Sequence, residues 1–425
     1  MPKIKRLHAL EILDSRGRPT LQATCELADG VTATASVPSG ASRGAAEALE
    51  LRDGDAKRYR GLGCRKAVEN VRTRIAQAVC GLDLATQADL DNGMLALDGT
   101  ENKANLGANA ILAVSIAFAR AHALLLKRPL YQHFAAMAGA NAARQLPRMT
   151  INLFSGGKHA GGQVAIQDVL VIPAAAATIE EGLATTYAVY QAAAELGMKK
   201  YGARALTADE GGLAPPFPDA QTMLDDAVTA IQNAGFTPGR DVVIAVDVAS
   251  SHFYEDGKYH LDGAVLDGKG MVERLASWVK QYPIVSIEDG LSEEDWAHWP
   301  LLRDAIGANA LVLGDDLLCT NVGRIMKAIE LKAANALLLK VNQIGSLTEA
   351  LQAGQLAQKA GWSVTISARS GETEDDWLAD LAVGWSGTQI KVGSIAHSER
   401  LAKYNRLLQI EAETKLPVAG WPHRS

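Results

Sequence analysis

Three acidic residues and one lysine each close a short apolar run. The runs are Val-Val-Ile-Ala-Val-Asp247, Ile-Val-Ser-Ile-Glu288, Leu-Val-Leu-Gly-Asp315 and Ala-Leu-Leu-Leu-Lys340. A charge at the end of a buried strand needs a partner, because an unpaired buried charge costs several kcal/mol or more. Four such ends point to one shared site. Three carboxylates make an oxygen cage for a hard divalent cation, and magnesium in such a cage keeps positions open for water or substrate. Positive charge there would stabilise the negative charge that builds up when a proton is removed alpha to a carboxylate. A lysine beside the cage is a poor structural choice and a sensible base, since neighbouring positive charge favours its neutral form.

The elements that must position these groups follow from the same runs. Continuous apolar runs separated by helical patterns predict parallel strands buried on both faces. Strand ends at Asp247, Glu288, Asp315, Lys340, Arg369 and Lys391 are spaced by 22 to 41 residues, about the length of successive strand–helix units. Two earlier strands fit Arg148–Phe154 and Asp168–Ile172. Eight units close a barrel, whose active site lies at the C-terminal strand ends. An open doubly wound sheet would need a Gly-x-Gly-x-x-Gly turn after its first strand, and none is present. The first 135 residues read differently. Ile4–Leu13, Thr20–Leu27 and Val31–Val37 predict a three-strand meander with a turn at Ala28-Asp29-Gly30. Helical patterns follow over Ala67–Val79, Gln87–Leu97 and Asn109–Leu126. The expected class is α/β: an N-terminal α+β capping domain over 1–135, then a modified (β/α)8 TIM-type barrel over 140–425, with Pro129 and Pro147 bracketing the crossover.

The 425 residues are 48% hydrophobic with a net charge of −6, and no basic stripe marks a nucleic-acid surface. No run is read as approaching the roughly 18 apolar residues of a membrane span. The start, Met-Pro-Lys-Ile-Lys-Arg, runs directly into strand-like sequence, so no signal peptide is expected. Cys25, Cys64, Cys80 and Cys319 form no Cys-x-x-Cys pair and are expected to be reduced thiols in the cytoplasm.

Several longer stretches carry a resemblance. They are Asp14-Ser15-Arg16-Gly17, Pro38-Ser39-Gly40-Ala41-Ser42, Asp98-Gly99-Thr100-Glu101-Asn102-Lys103, Gly156-Gly157-Lys158-His159 and Asp209-Glu210-Gly211-Gly212. Later come Ser286-Ile287-Glu288-Asp289-Gly290, Asp315-Asp316-Leu317, Lys340-Val341-Asn342-Gln343-Ile344-Gly345, Arg369-Ser370-Gly371-Glu372-Thr373-Glu374-Asp375 and Gln389-Ile390-Lys391-Val392-Gly393. Along almost its whole length the chain resembles enolase. The resemblance implies a modified barrel, a homodimer or higher homo-oligomer, and dehydration of 2-phosphoglycerate to phosphoenolpyruvate with two magnesium ions. It implies that Asp247, Glu288 and Asp315 hold the first ion and that Ser42, on a Gly-rich loop, helps hold the second. Lys340 would take the carbon-2 proton, and Glu210 would protonate the departing hydroxide. Arg369 and Ser370 would grip the phosphate, Lys391 would face the carboxylate, and His159, Gln167 and Asp168 would close over the substrate. Taken alone, Arg369 could instead pair with Glu372 or Glu374 at the surface.

The chain also departs from the family pattern. Ala368 stands where a histidine is usual, Asp168 where glutamate is usual and Ser155 where asparagine is usual. Arg43, Ala208 and Val392 replace threonine, glycine and threonine. The residues expected to bind metal and remove the proton are unchanged, whereas several departures fall near the leaving group. An alternative therefore stands beside the first reading: an enolase-like enzyme acting on a related phospho- or phosphono-carboxylate, as carboxyphosphonoenolpyruvate synthase does.

Overall fold

The computed structural model describes residues 1–41, 44–139, 143–202 and 206–420. Its first layer is an antiparallel meander of β1 (Ile4–Leu13), β2 (Pro19–Leu27) and β3 (Thr32–Ser36). The reversal between β2 and β3 passes through Gly30 at φ +92°, a conformation that glycine adopts without steric cost. One helical stretch runs from Arg65 to Val79, with a widened π turn over Val71–Ile75. Thr86 and Asp89 cap the next helix, Gln87–Asp98, reciprocally at its N-terminus.

Helix Ala108–Leu125 packs against β2 and β3 and forms the centre of the cap. By length and composition it could span a bilayer, so the expectation that no run approaches that length does not hold. Its apolar side chains have a different destination, since 78% of the helix is buried inside the protein. Burying each Leu, Ile or Phe there contributes roughly 1.5–3 kcal/mol. Cys25, Cys64 and Cys319 are buried, Cys80 is half-buried, and all four are free thiols.

The second part is a closed eight-stranded barrel of β4 (Arg148–Ser155), β5 (Asp168–Ile172), β6 (Val243–Asp247), β10 (Ile284–Glu288), β11 (Leu311–Gly314), β12 (Ala336–Leu339), β13 (Ser363–Ser367) and β14 (Gln389–Gly393). A small sheet of β7 (Tyr254–Glu255), β8 (Lys258–Leu261) and β9 (Ala264–Leu266) follows β6 and was not anticipated from the sequence.

The barrel corrects the expectation of uniform strand–helix units. No helix of the barrel's outer ring separates β4 from β5, and β5 runs antiparallel to both β4 and β6. Two helices, Ile179–Tyr201 and Ala220–Asn233, then lie together between β5 and β6. The reversal matters for the site. Asp168 opens its strand, yet it lies in register with Ser155 and Asp247, which close theirs.

Candidate active site

The strand-end charges converge at one mouth of the barrel. Asp247 and Glu288 end β6 and β10 and are direct register partners. Asp315 and Lys340 each follow the last residue of their strands, Arg369 lies two residues past β13, and Lys391 sits inside β14. The Lys391 ammonium reaches Asp247 Oδ2 at 2.9 Å and Glu288 Oε2 at 2.7 Å. Lys340 Nζ reaches Asp315 Oδ2 at 2.5 Å, and Gln343 donates to Asp315 Oδ1 at 2.8 Å. Gln167 donates to Asp247 Oδ2 at 3.1 Å. Gln167, Asp247, Asp315, Lys340, Arg369 and Lys391 border a pocket that also touches His159, Glu210, Ala368 and Ser370.

The electrostatics follow from crowding like charges out of water. Burial and the neighbouring Asp247 push the Glu288 carboxyl well above the usual range. Burial also acts to raise Asp247, but Lys391 outweighs it and holds that carboxyl below its ordinary value. For Lys340, burial alone would lower the pKa, yet Asp315 overcomes it and keeps the amine charged. Glu288 Oε1 has no hydrogen-bond partner among the described residues. Three clustered carboxylates, one with an orphaned oxygen and all drawing on lysines for positive charge, suit a divalent cation. Among the described residues, the acidic or imidazole groups whose ligand atoms lie close enough together to share an ion are Asp289, Asp315 and Asp316, and His159, Asp168 and Glu210; Asp247 and Glu288 instead converge on the Lys391 ammonium.

Beside Asp247, His159 Nδ1 lies 3.0 Å from Asp168 Oδ2, and its Nε2 lies 3.8 Å from Glu210 Oε1 and 3.3 Å from the Ser370 hydroxyl. Burial would lower the imidazole, but Asp168 and Glu210 hold it up at about 9. Burial would raise Glu210, but the His159 charge brings it down to about 2. The proton of this pair therefore resides on the ring. His252, also at the pocket, is driven down to about 4 by burial and stays neutral.

Arg369 and Lys391 both border the pocket, and each also has partners within the protein. Arg369 is buried, and its guanidinium meets Glu47 through bonds of 3.0 and 3.2 Å and Asn342 Oδ1 at 3.1 Å. It makes no surface pair with Glu372, whose carboxylate accepts the Arg369 backbone N–H instead. Lys391 holds two of the carboxylates. Ser42 and Arg43 lie outside the described residues.

Sequence reasoning missed Glu47, Asn342, Gln343 and Asp289. Asp289 accepts the backbone N–H groups of Asp315 at 3.0 Å and Asp316 at 2.7 Å. Its place directly after Glu288, and that of Asn342 and Gln343 just after Lys340, were the available signals. Glu47 had only its nearness to the Pro38–Ser42 loop.

Comparison with protein families joins the two halves. Residues 4–134 match the family model described as enolase, N-terminal domain, and residues 143–419 match enolase, C-terminal TIM barrel domain. The chain belongs to the enolase family. The cap and barrel are thus the two enolase domains, and the charged mouth lies at the barrel end where strand-end residues of such folds do chemistry.

Proposed function

We propose that this enolase-family protein is a magnesium-dependent lyase that removes the carbon-2 proton of a phosphorylated carboxylate, with 2-phosphoglycerate as substrate and phosphoenolpyruvate as product. One observation carries the reading: Asp247, Glu288 and Asp315 gather with Lys340 and Lys391 at one barrel mouth. Magnesium held by the three carboxylates would supply positive charge to the substrate carboxylate and neutralise Asp315. The upward pull on Lys340 is then lifted, and burial favours its neutral amine. Lys340 takes the carbon-2 proton. Lys391 and Arg369 offer cationic contacts to carboxylate and phosphate, the arginine through a planar fork. His159, with the Glu210 carboxylate beside it, carries the proton available to the leaving hydroxide.

Ala368 supports a second reading. It borders the pocket with an apolar methyl group and is buried. A related phospho- or phosphono-carboxylate with a different leaving group would need no imidazole there. Phosphoenolpyruvate formation from 2-phosphoglycerate, followed by ultraviolet absorbance with magnesium, tests the first reading. Ala368→His should raise that rate if dehydration is the native reaction. A wild-type protein that yields no product, and gains none in the variant, would overturn the first reading in favour of the second.

A further inference from the structure

Two departures from the usual enolase residues touch one another. Asp168 is fully buried, and its two oxygens are divided between two partners. Oδ1 accepts the Ser155 hydroxyl at 2.6 Å, and Oδ2 meets His159 Nδ1 at 3.0 Å. The other ring nitrogen faces Ser370 and Glu210 in the pocket. Hydroxyl, carboxylate and imidazole thus run in sequence from the barrel wall to the reaction space. A carboxylate on one ring nitrogen fixes what the other presents.

Packing supplies a second, independent observation. Ser155 lies beneath the turn that carries Glu210, and a methyl group on Gly212 would stand only 2.4 Å from Ser155 Oγ. The Ser155 N–H donates to the Leu213 carbonyl at 2.8 Å, and Asn152 on the same strand donates to Glu210 Oε2 at 3.1 Å. A longer side chain at 155 would press on the Gly211-Gly212 turn. A longer acid at 168 would push the His159 ring outward by a methylene. A serine and a short acid fit together here, and lengthening either displaces the other.

We propose that Ser155 and Asp168 are one coupled pair of positioning residues, which fixes His159 with Nε2 turned into the pocket beside Glu210. The pair places a hydrogen-bond donor on the leaving-group side and so bears on which leaving group is accepted. The ring geometry stands by itself; the leaving-group role rests on the function proposed above.

The test uses the full chain with ¹⁵N-labelled histidine, the His159 signals being assigned from His159→Gln. Asp168→Asn should move the His159 Nδ1 resonance and abolish its strongly hydrogen-bonded proton, and Ser155→Ala should shift the same signal less. With magnesium and 2-phosphoglycerate, Ser155→Ala should lower kcat for phosphoenolpyruvate formation about tenfold, as losing a buried supporting partner commonly does, with little change in KM. The effect of Ser155→Asn with Asp168→Glu together should differ at least threefold from the product of the single effects, roughly the smallest departure expected within one network. Unchanged His159 signals in Ser155→Ala and Asp168→Asn, or strictly multiplicative effects, would overturn the proposal. Should Asp168→Asn fail to fold, the Ser155→Ala spectrum decides alone. A wild-type protein inactive on 2-phosphoglycerate counts against the proposed function, while the ring signals still decide the pairing.

Discussion

In the proposed reaction the chemistry turns on Lys340. Its amine is buried and paired with Asp315, so it is an ammonium until that carboxylate is engaged elsewhere. Lys340→Ala should reduce exchange of the carbon-2 hydrogen by about two to four orders of magnitude, the range of general-base contributions, when followed by proton NMR in heavy water. Magnesium binding should persist, because the three carboxylates remain. These residues were legible in the sequence because a charge ending an apolar run has few stable places to go. Their present partners were not. Arg369 carries no local mark that Glu47, from the other domain, would meet its guanidinium. Nor does Lys391 announce that it would bridge Asp247 and Glu288.

Between elements, the decisive feature is how neighbouring strand ends are braced. Asp289 has φ +42°, an unusual backbone for a non-glycine residue, and its two carboxylate oxygens accept successive N–H groups beyond β11. An amide at this position would turn a donor toward one of those N–H groups. Asp289→Asn should therefore disturb Asp315 and weaken magnesium binding by roughly 10–100-fold, as lost supporting contacts around metal ligands do, measured by titration calorimetry. The cap meander and the barrel strands could be read from periodicity, and their boundaries fall within a residue or two of the expected ones. The reversal of β5 could not. A five-residue apolar strand has the same pattern in either direction, and only its pairing with β4 and β6 fixes its sense.

At the scale of the whole molecule, cap and barrel are joined around the site. Ser39 and Gly371 exchange backbone hydrogen bonds of 2.8 and 2.9 Å, and Ala48 donates to the Gln343 carbonyl at 2.7 Å. Away from the site, His133 lies buried beside the His122 ring, with neither ring nitrogen partnered among the described residues. Burial lowers it to about 4, so it is neutral in the fold, whereas the unfolded chain takes up its proton near pH 6.5. The stability tied to its neutrality is complete above about pH 6.5 and is lost as the pH falls toward 4, roughly 3 kcal/mol in all. His133→Phe should accordingly flatten the fall in melting temperature between pH 7 and 5, measured by circular dichroism; an unchanged slope would remove His133 from the acid response. The most direct measurement for the site as a whole is exchange of the carbon-2 hydrogen of 2-phosphoglycerate in heavy water, followed with magnesium and with excess chelator. Exchange that requires magnesium and vanishes in Lys340→Ala is the expected result. Exchange that persists in the chelator, or in a folded Lys340→Ala protein, would contradict the joint action of the carboxylate cluster and the lysine.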